Sequence, residues 1–366
     1  MPSDSLNLLF TPAISAFIIA VCTTPIIIKL YQKFNLLDDP KKNKHIKVVH
    51  SKPVPRGGGT PIFLSLCIVG LVLFQLDKHF LGILFGALIL TIIGILDDIY
   101  NLHPYLRLVT GTFAALCVVA VGIGIAYITN PFGEPGSVIN LSNPQIPLEV
   151  LGKTRTIWVL ADLFALIWIL WFMNIVNWSK GVDGQMPGFV AIAAVFLGLL
   201  SLRFIGDPTQ WEVIQLAGIT AGSFLGLLFW NRYPQKIMPG YGGGSLAGFL
   251  LAILSILSGA KVAALILLLG VPVIDAVYTI IRRLIQGKSP VWGDRGHLHH
   301  RLLDAGLSKS QIAYFYWGIT LILGVVTLQL NSNQKIFALI MLTVILSTVI
   351  LWLQKLSKGI KSTNDK

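Results

Sequence analysis

The sequence predicts an all-α polytopic membrane protein: a bundle of about eleven transmembrane helices, N-terminus outside and C-terminus in the cytoplasm. Three observations carry this. Of 366 residues 54% are hydrophobic, with a mean hydropathy of +0.76. Charged residues make up 12%, about half the roughly 25% usual in soluble domains. That is too little charge to coat a water-facing surface, so an ordinary cytosolic enzyme and a disordered chain are both excluded. Finally, the net charge of +12 is distributed unevenly between the two sides of the membrane.

The apolar runs lie at 6–28, 60–76, 80–96, 107–128, 156–176, 187–205, 211–230, 244–258, 262–281, 311–330 and 336–354. The first has Asp4 and no basic residue before it and is long enough to span, so no cleavable signal peptide is expected. The third closes on Asp97–Asp98. Between the fourth and fifth, residues 130–156 form the long external connection, whose Pro, Gly and Asn suit turns or a small hairpin. The fifth carries Asp162 near its outer end, wet enough to stay charged. The eighth is short. The ninth carries Asp275 toward the cytoplasm, within reach of Arg282 or Arg283. Residues 355–366 form a basic cytoplasmic tail. The 35 glycines suit close helix approach. Cys22, Cys67 and Cys117 sit in apolar runs and read as packing residues. The whole chain, 1–366, reads as one integral-membrane domain.

With the connections alternating sides, every Lys and Arg except Lys78, Lys153, Arg155, Arg203, Lys261 and Lys335 falls on one face, which makes that face cytoplasmic. Five polar constellations share it. Asp97–Asp98 are adjacent carboxylates whose ionisation is coupled unless a cation sits close. Residues 172–188, FMNIVNWSKGVDGQMPG, place Asn174, Asn177, Lys180 and Asp183 among glycines at the end of an apolar helix. There backbone N–H groups can approach a ligand, and amides and carboxylates can bind metal. Residues 50–60, HSKPVPRGGGT, put His50, Lys52 and Arg56 before three glycines, a pattern that suits an anion. KIMPGYGGGSLAG is a second glycine-rich entry to a span. Residues 287–303, GKSPVWGDRGHLHHRLL, gather His297, His299 and His300 beside Asp294, Arg295 and Arg301; imidazole and guanidinium suit a diphosphate. The basic run Lys41–Lys47 is expected on anionic headgroups.

In this order the motifs resemble the polyprenyl-phosphate N-acetylhexosamine-1-phosphate transferase family, glycosyltransferase family 4, over about residues 24–303. The matching pieces are HSKPVPRGGG, GILDD, NIVNWSKGVDG, VIDAVYTIIRRL and SPVWGDRGHLHHRLL. Residues 53–59 and 294–300 look more like the undecaprenyl-phosphate N-acetylglucosaminyl branch than the related phospho-N-acetylmuramoyl-pentapeptide branch.

The resemblance implies transfer of N-acetylglucosamine 1-phosphate from a UDP-sugar to polyprenyl phosphate, releasing UMP and initiating a cell-envelope glycan in a bacterial cell membrane. It implies Mg2+, with Mn2+ as the alternative. The expected partners are the UDP-sugar donor, the polyprenyl phosphate acceptor and membrane lipids. A homodimer is left open, and nucleic acid is not expected. It assigns catalysis to Asp97, Asp98, His297 and His300, and substrate binding to His50, Arg56, Lys180, Asp183, Asp294, Arg295 and His299. Metal binding falls to Asp98, Asn177 and Asp183. Two positions depart from the family pattern. Lys180 replaces the first acid of NxxDGxDG, and Tyr241, within GYGGGS, stands nearest the place of a metal-binding aspartate. A phenol with a pKa of about 10 does not replace a carboxylate as a hard-cation ligand. A silent lipid-binding relative and a transporter are the rivals, although a transporter would place its polar residues at mid-bilayer.

Overall fold

The computed structural model describes all residues except 1–2, 42–48, 131–132, 135–136, 151–152, 259–260, 290–294 and 365–366. The chain runs α1 (Ser3–Lys33), β1 (Leu37–Asp38), β2 (Val54–Pro55), α2 (Gly59–Leu73), α3 (Lys78–Tyr100), α4 (Pro104–Val119), β3 (Tyr127–Thr129), β4 (Val138–Asn140), β5 (Gln145–Val150) and β6 (Lys153–Trp158). It continues through α5 (Val159–Trp178), α6 (Gln185–Ser201), α7 (Thr209–Asn231), α8 (Gly240–Leu257), α9 (Lys261–Leu268), α10 (Gly270–Ile285), α11 (Leu298–Asp304), α12 (Lys309–Gln329) and α13 (Ser332–Asn364). The strands form three antiparallel pairs, β1–β2, β3–β4 and β5–β6.

Among the described residues, eight helices are long and apolar enough to cross a membrane, or nine if the bent pair α9–α10 counts as one span. Two further apolar helices, α2 and α4, have 15 and 16 residues. Every apolar run in the sequence is therefore helical, but two boundaries differ from expectation. The fourth run ends at Val119 rather than near 128, because Gly122 adopts φ +97° and the chain then enters β3. The ninth is not one straight helix: α9 and α10 meet at 85°. Pro272, two residues into α10, has no amide hydrogen to carry the ladder across the break. The external connection holds two hairpins, β3–β4 and β5–β6, rather than one.

The core sits around α8, which packs on α2, α3, α5, α6, α7 and α9. Lipid tails are as apolar as leucine, so helices in a membrane associate through close fit rather than the hydrophobic effect. The α1–α7 contact shows this. An added Cβ at Gly218, Gly222 or Gly226 would lie 2.3 Å from the Leu9 carbonyl oxygen, 1.9 Å from that of Ala13 and 2.5 Å from the Ala20 Cβ. Four-residue spacing puts the three glycines on one face of α7, and the α1 backbone lies against them.

Candidate active site

Residues from six helices converge at one end of the bundle. Asp97 and Asp98 end α3, and both side chains are buried. Arg56 reaches them from the loop before α2, its Nη2 3.9 Å from Asp97 and its Nε 3.8 Å from Asp98. The pairing of β1 with β2 and a bond from the Met238 amide to the Pro55 carbonyl (2.7 Å) fix this loop. Arg56 Nη1 also donates to Asn101 Oδ1 (2.8 Å), and Asn101 caps α3 at φ +48°. From α4, Arg107 Nε comes to 3.5 Å from Asp97. From α1, the Tyr31 hydroxyl donates to Asp98 Oδ2 (3.1 Å).

Lys180, just beyond α5, donates to the Gly240 carbonyl at the start of α8. Burial pushes its ammonium down to about 7; Arg56 adds to this, while Asp97 and Asp98 oppose it. Gly240 itself is at φ +64°, and a Cβ there would lie 2.1 Å from the Arg56 carbonyl oxygen. The first, third and fourth constellations thus meet at the carboxylates, and Lys180 joins the second to them.

The histidine segment meets the second constellation from the other side. A Cβ on Gly181 would strike His299 Nε2 at 2.0 Å, so the Gly181 backbone lies against that ring. His297 lies 6.3 Å from the Trp178 ring and stacks on His299 at 5.7 Å and 8°, and His299 in turn contacts His300. All three histidines are buried.

Other expected site residues have different partners. Asp183 accepts from the Gln235 amide (3.2 Å) and pairs with Lys309 (3.3 Å), which fastens its loop to α12. His50 Nε2 lies 3.1 Å from the Asp38 carbonyl oxygen. Arg295 pairs with Asp304 at an exposed edge (2.9 Å). Asp294 and most of the Lys41–Lys47 run lie outside the described residues. Asp275 does not meet Arg282 or Arg283 as expected; two helical turns separate it from them along α10, and it takes His297 and the Leu298 amide at the start of α11 instead. Asp162 accepts from the Trp158 amide in the first turn of α5 (3.0 Å).

Tyr31, Arg107 and Lys309 were not anticipated from the sequence. A lone tyrosine or cation beside an apolar run carries no local signal of the partner it will meet. Tyr241 has its own task. Its hydroxyl donates to the Arg107 carbonyl (3.0 Å), and the Arg107 guanidinium lies over its ring at 5.4 Å.

For a metal, the relevant observation is unmet polarity. Both oxygens of Asp97, Oδ1 of Asp98 and Oδ1 of Asn177 are buried without a hydrogen-bond partner. Among the described residues no three His, Cys, Asp or Glu side chains cluster as a closed metal site. Magnesium is commonly held by one or two carboxylates together with substrate phosphates, so the oxygens present suit it.

A sequence profile described as glycosyl transferase family 4 matches residues 80–259. The chain is 29% identical over 330 residues to a Bacillus subtilis protein named probable undecaprenyl-phosphate N-acetylglucosaminyl 1-phosphate transferase, covering 87% of this chain and 84% of that one. It is 26% identical over 304 residues to a Mycobacterium leprae decaprenyl-phosphate N-acetylglucosaminephosphotransferase, covering 74% and 72%. It is also 26% identical over 330 residues to a Streptococcus pyogenes phospho-N-acetylmuramoyl-pentapeptide-transferase, covering 84% and 94%.

Proposed function

We propose that this chain is a member of glycosyl transferase family 4 that transfers N-acetylglucosamine 1-phosphate from a UDP-sugar to a polyprenyl phosphate, releasing UMP. The observation that carries this is the meeting of two buried carboxylates with Arg56, Arg107 and Lys180 at one end of an apolar bundle. A lipid phosphate keeps its head at the membrane interface and a nucleotide sugar stays in water, so the two can react only at such a rim.

The attacking lipid phosphate oxygen is already anionic, so positioning and charge neutralisation do most of the work. Arg56 and Arg107 stand 3.5–3.9 Å from the carboxylates, beyond good hydrogen-bond length, which leaves guanidinium N–H groups for phosphate oxygens. Asp97 or Asp98 accepts the last proton of the lipid phosphate. Asp97, Asp98 and Asn177 supply oxygens to Mg2+ or Mn2+; when bound, the ion neutralises phosphoryl charge. His297 and His300 face the donor diphosphate.

In this reading α2, α4 and the bent pair also cross, giving eleven spans in a bacterial cell membrane. The excess of basic residues on that side supports a cytoplasmic site, with the N-terminus outside and the C-terminus inside.

The test combines purified protein, undecaprenyl phosphate, magnesium and labelled UDP-sugars. Labelled lipid that forms with UDP-N-acetylglucosamine and disappears with chelator is the expected result. No lipid product with any donor would leave the silent, lipid-binding reading. Donor uptake into vesicles without lipid product would favour a transporter.

A further inference from the structure

Asp275 is a charged side chain on a helix that carries none of the expected catalytic groups. It is 2% exposed, and both its oxygens are engaged. Oδ2 lies 2.9 Å from His297 Nδ1, and Oδ1 accepts the Leu298 amide at 2.7 Å. The carboxylate therefore holds the histidine ring and the first backbone amide of α11 together. Oδ1 accepts from an amide, and the tautomer with hydrogen on Nδ1 is the one that lets Oδ2 accept as well. Nε2 is then the nitrogen that can turn outward to a ligand.

We infer that Asp275 is a positioning residue, fixing the ring and proton of His297 so that Nε2 presents its charge to the anionic donor. This rests on the proposed transfer reaction. A carboxylate behind an imidazole favours the protonated ring, the form that donates to a phosphate oxygen. Other groups act on the same pair. Arg301, from α11, feels Asp275 and Arg282, and lies over the Tyr278 ring at 5.3 Å. Tyr316 of α12 lies within electrostatic reach of Asp275, and His299 and Trp178 flank the ring.

The experiment compares pH profiles of kcat/KM for the unmodified protein, Asp275→Asn and His297→Gln, in the transfer assay. Asp275→Asn keeps one acceptor for Nδ1 and removes the charge. The expected result is a loss of about 10–100-fold, with the basic limb displaced to lower pH, because the ring gives up its proton more easily. In Asp275→Asn/His297→Gln the loss should match that of His297→Gln alone. A uniform loss at every pH, or losses that multiply in the double variant, would overturn the inference. If Asp275→Asn does not fold, Asp275→Glu is measured; it restores the charge and should return the limb toward its original place, and failure to do so counts against the idea. No transfer by the unmodified protein would defeat the proposed function instead.

Discussion

Asp97 and Asp98 carry a specific expectation, because three of their four oxygens are buried without a hydrogen-bond donor while two guanidiniums face them. Replacing either with Asn removes charge but little volume. Lipid-linked sugar formation should fall by at least about 100-fold, the order seen when a group that stabilises transition-state charge is removed, while gel-filtration behaviour stays unchanged. Full activity of both variants would remove these acids from the mechanism. Lys180 gives a pH expectation. Its folded value of about 7 lies below the 10.5 of an ordinary lysine, so between those values the unfolded chain holds a proton that the folded chain lacks. Its contribution to stability therefore rises with pH across that window, and Lys180→Met should flatten the melting-temperature profile there. How much of this was legible depends on sequence distance. The Asp pair, Arg56 and Lys180 stood out as charges at the ends of apolar runs. Tyr31 is 67 residues from Asp98 and Tyr241 134 from Arg107, separations over which no local pattern speaks. Tyr241 looked like a defect in a metal site; in the structure it is a prop for an arginine.

At the level of elements, hydropathy found every long helix but not its ends. Val119 and Leu269 are the instructive cases, since the runs stay apolar while a left-handed glycine and a proline stop the ladder. Period and composition report what a segment prefers to touch, and the break depends on backbone geometry. The contact between α1 and α7 is equally geometric. Gly222→Leu would drive a side chain into the Ala13 backbone, which cannot rotate away as a side chain would. A loss of roughly 1–3 kcal/mol, the usual cost of overpacking, should appear as a lower melting temperature in detergent. Leucine at Gly318, which has no heavy atom within 4 Å of an added Cβ, should leave it nearly unchanged.

For the whole molecule, the +12 charge and the apolar composition set the class of the protein before any motif is considered. They could not show which constellations would meet. Four of the five come together around Asp97, Asp98 and Lys180, and the histidine segment joins through Gly181. The sidedness of the charge has a direct test. A cysteine introduced at exposed Lys52 should react with an impermeant maleimide only after spheroplasts are opened. One introduced at Ser142 in the β4–β5 connection should react in intact spheroplasts. The reverse pattern would invert the topology and place the site outside the cell.

The glycines that bring these segments together also limit what the gene can become. At positions 58, 59 and 94 even a methyl group would lie within 2.7 Å of a neighbouring atom, and at 240 within 2.1 Å. No compensating change can shrink a backbone. In a saturation library selected for function, those four codons should stay frozen while 206 and 318 drift freely.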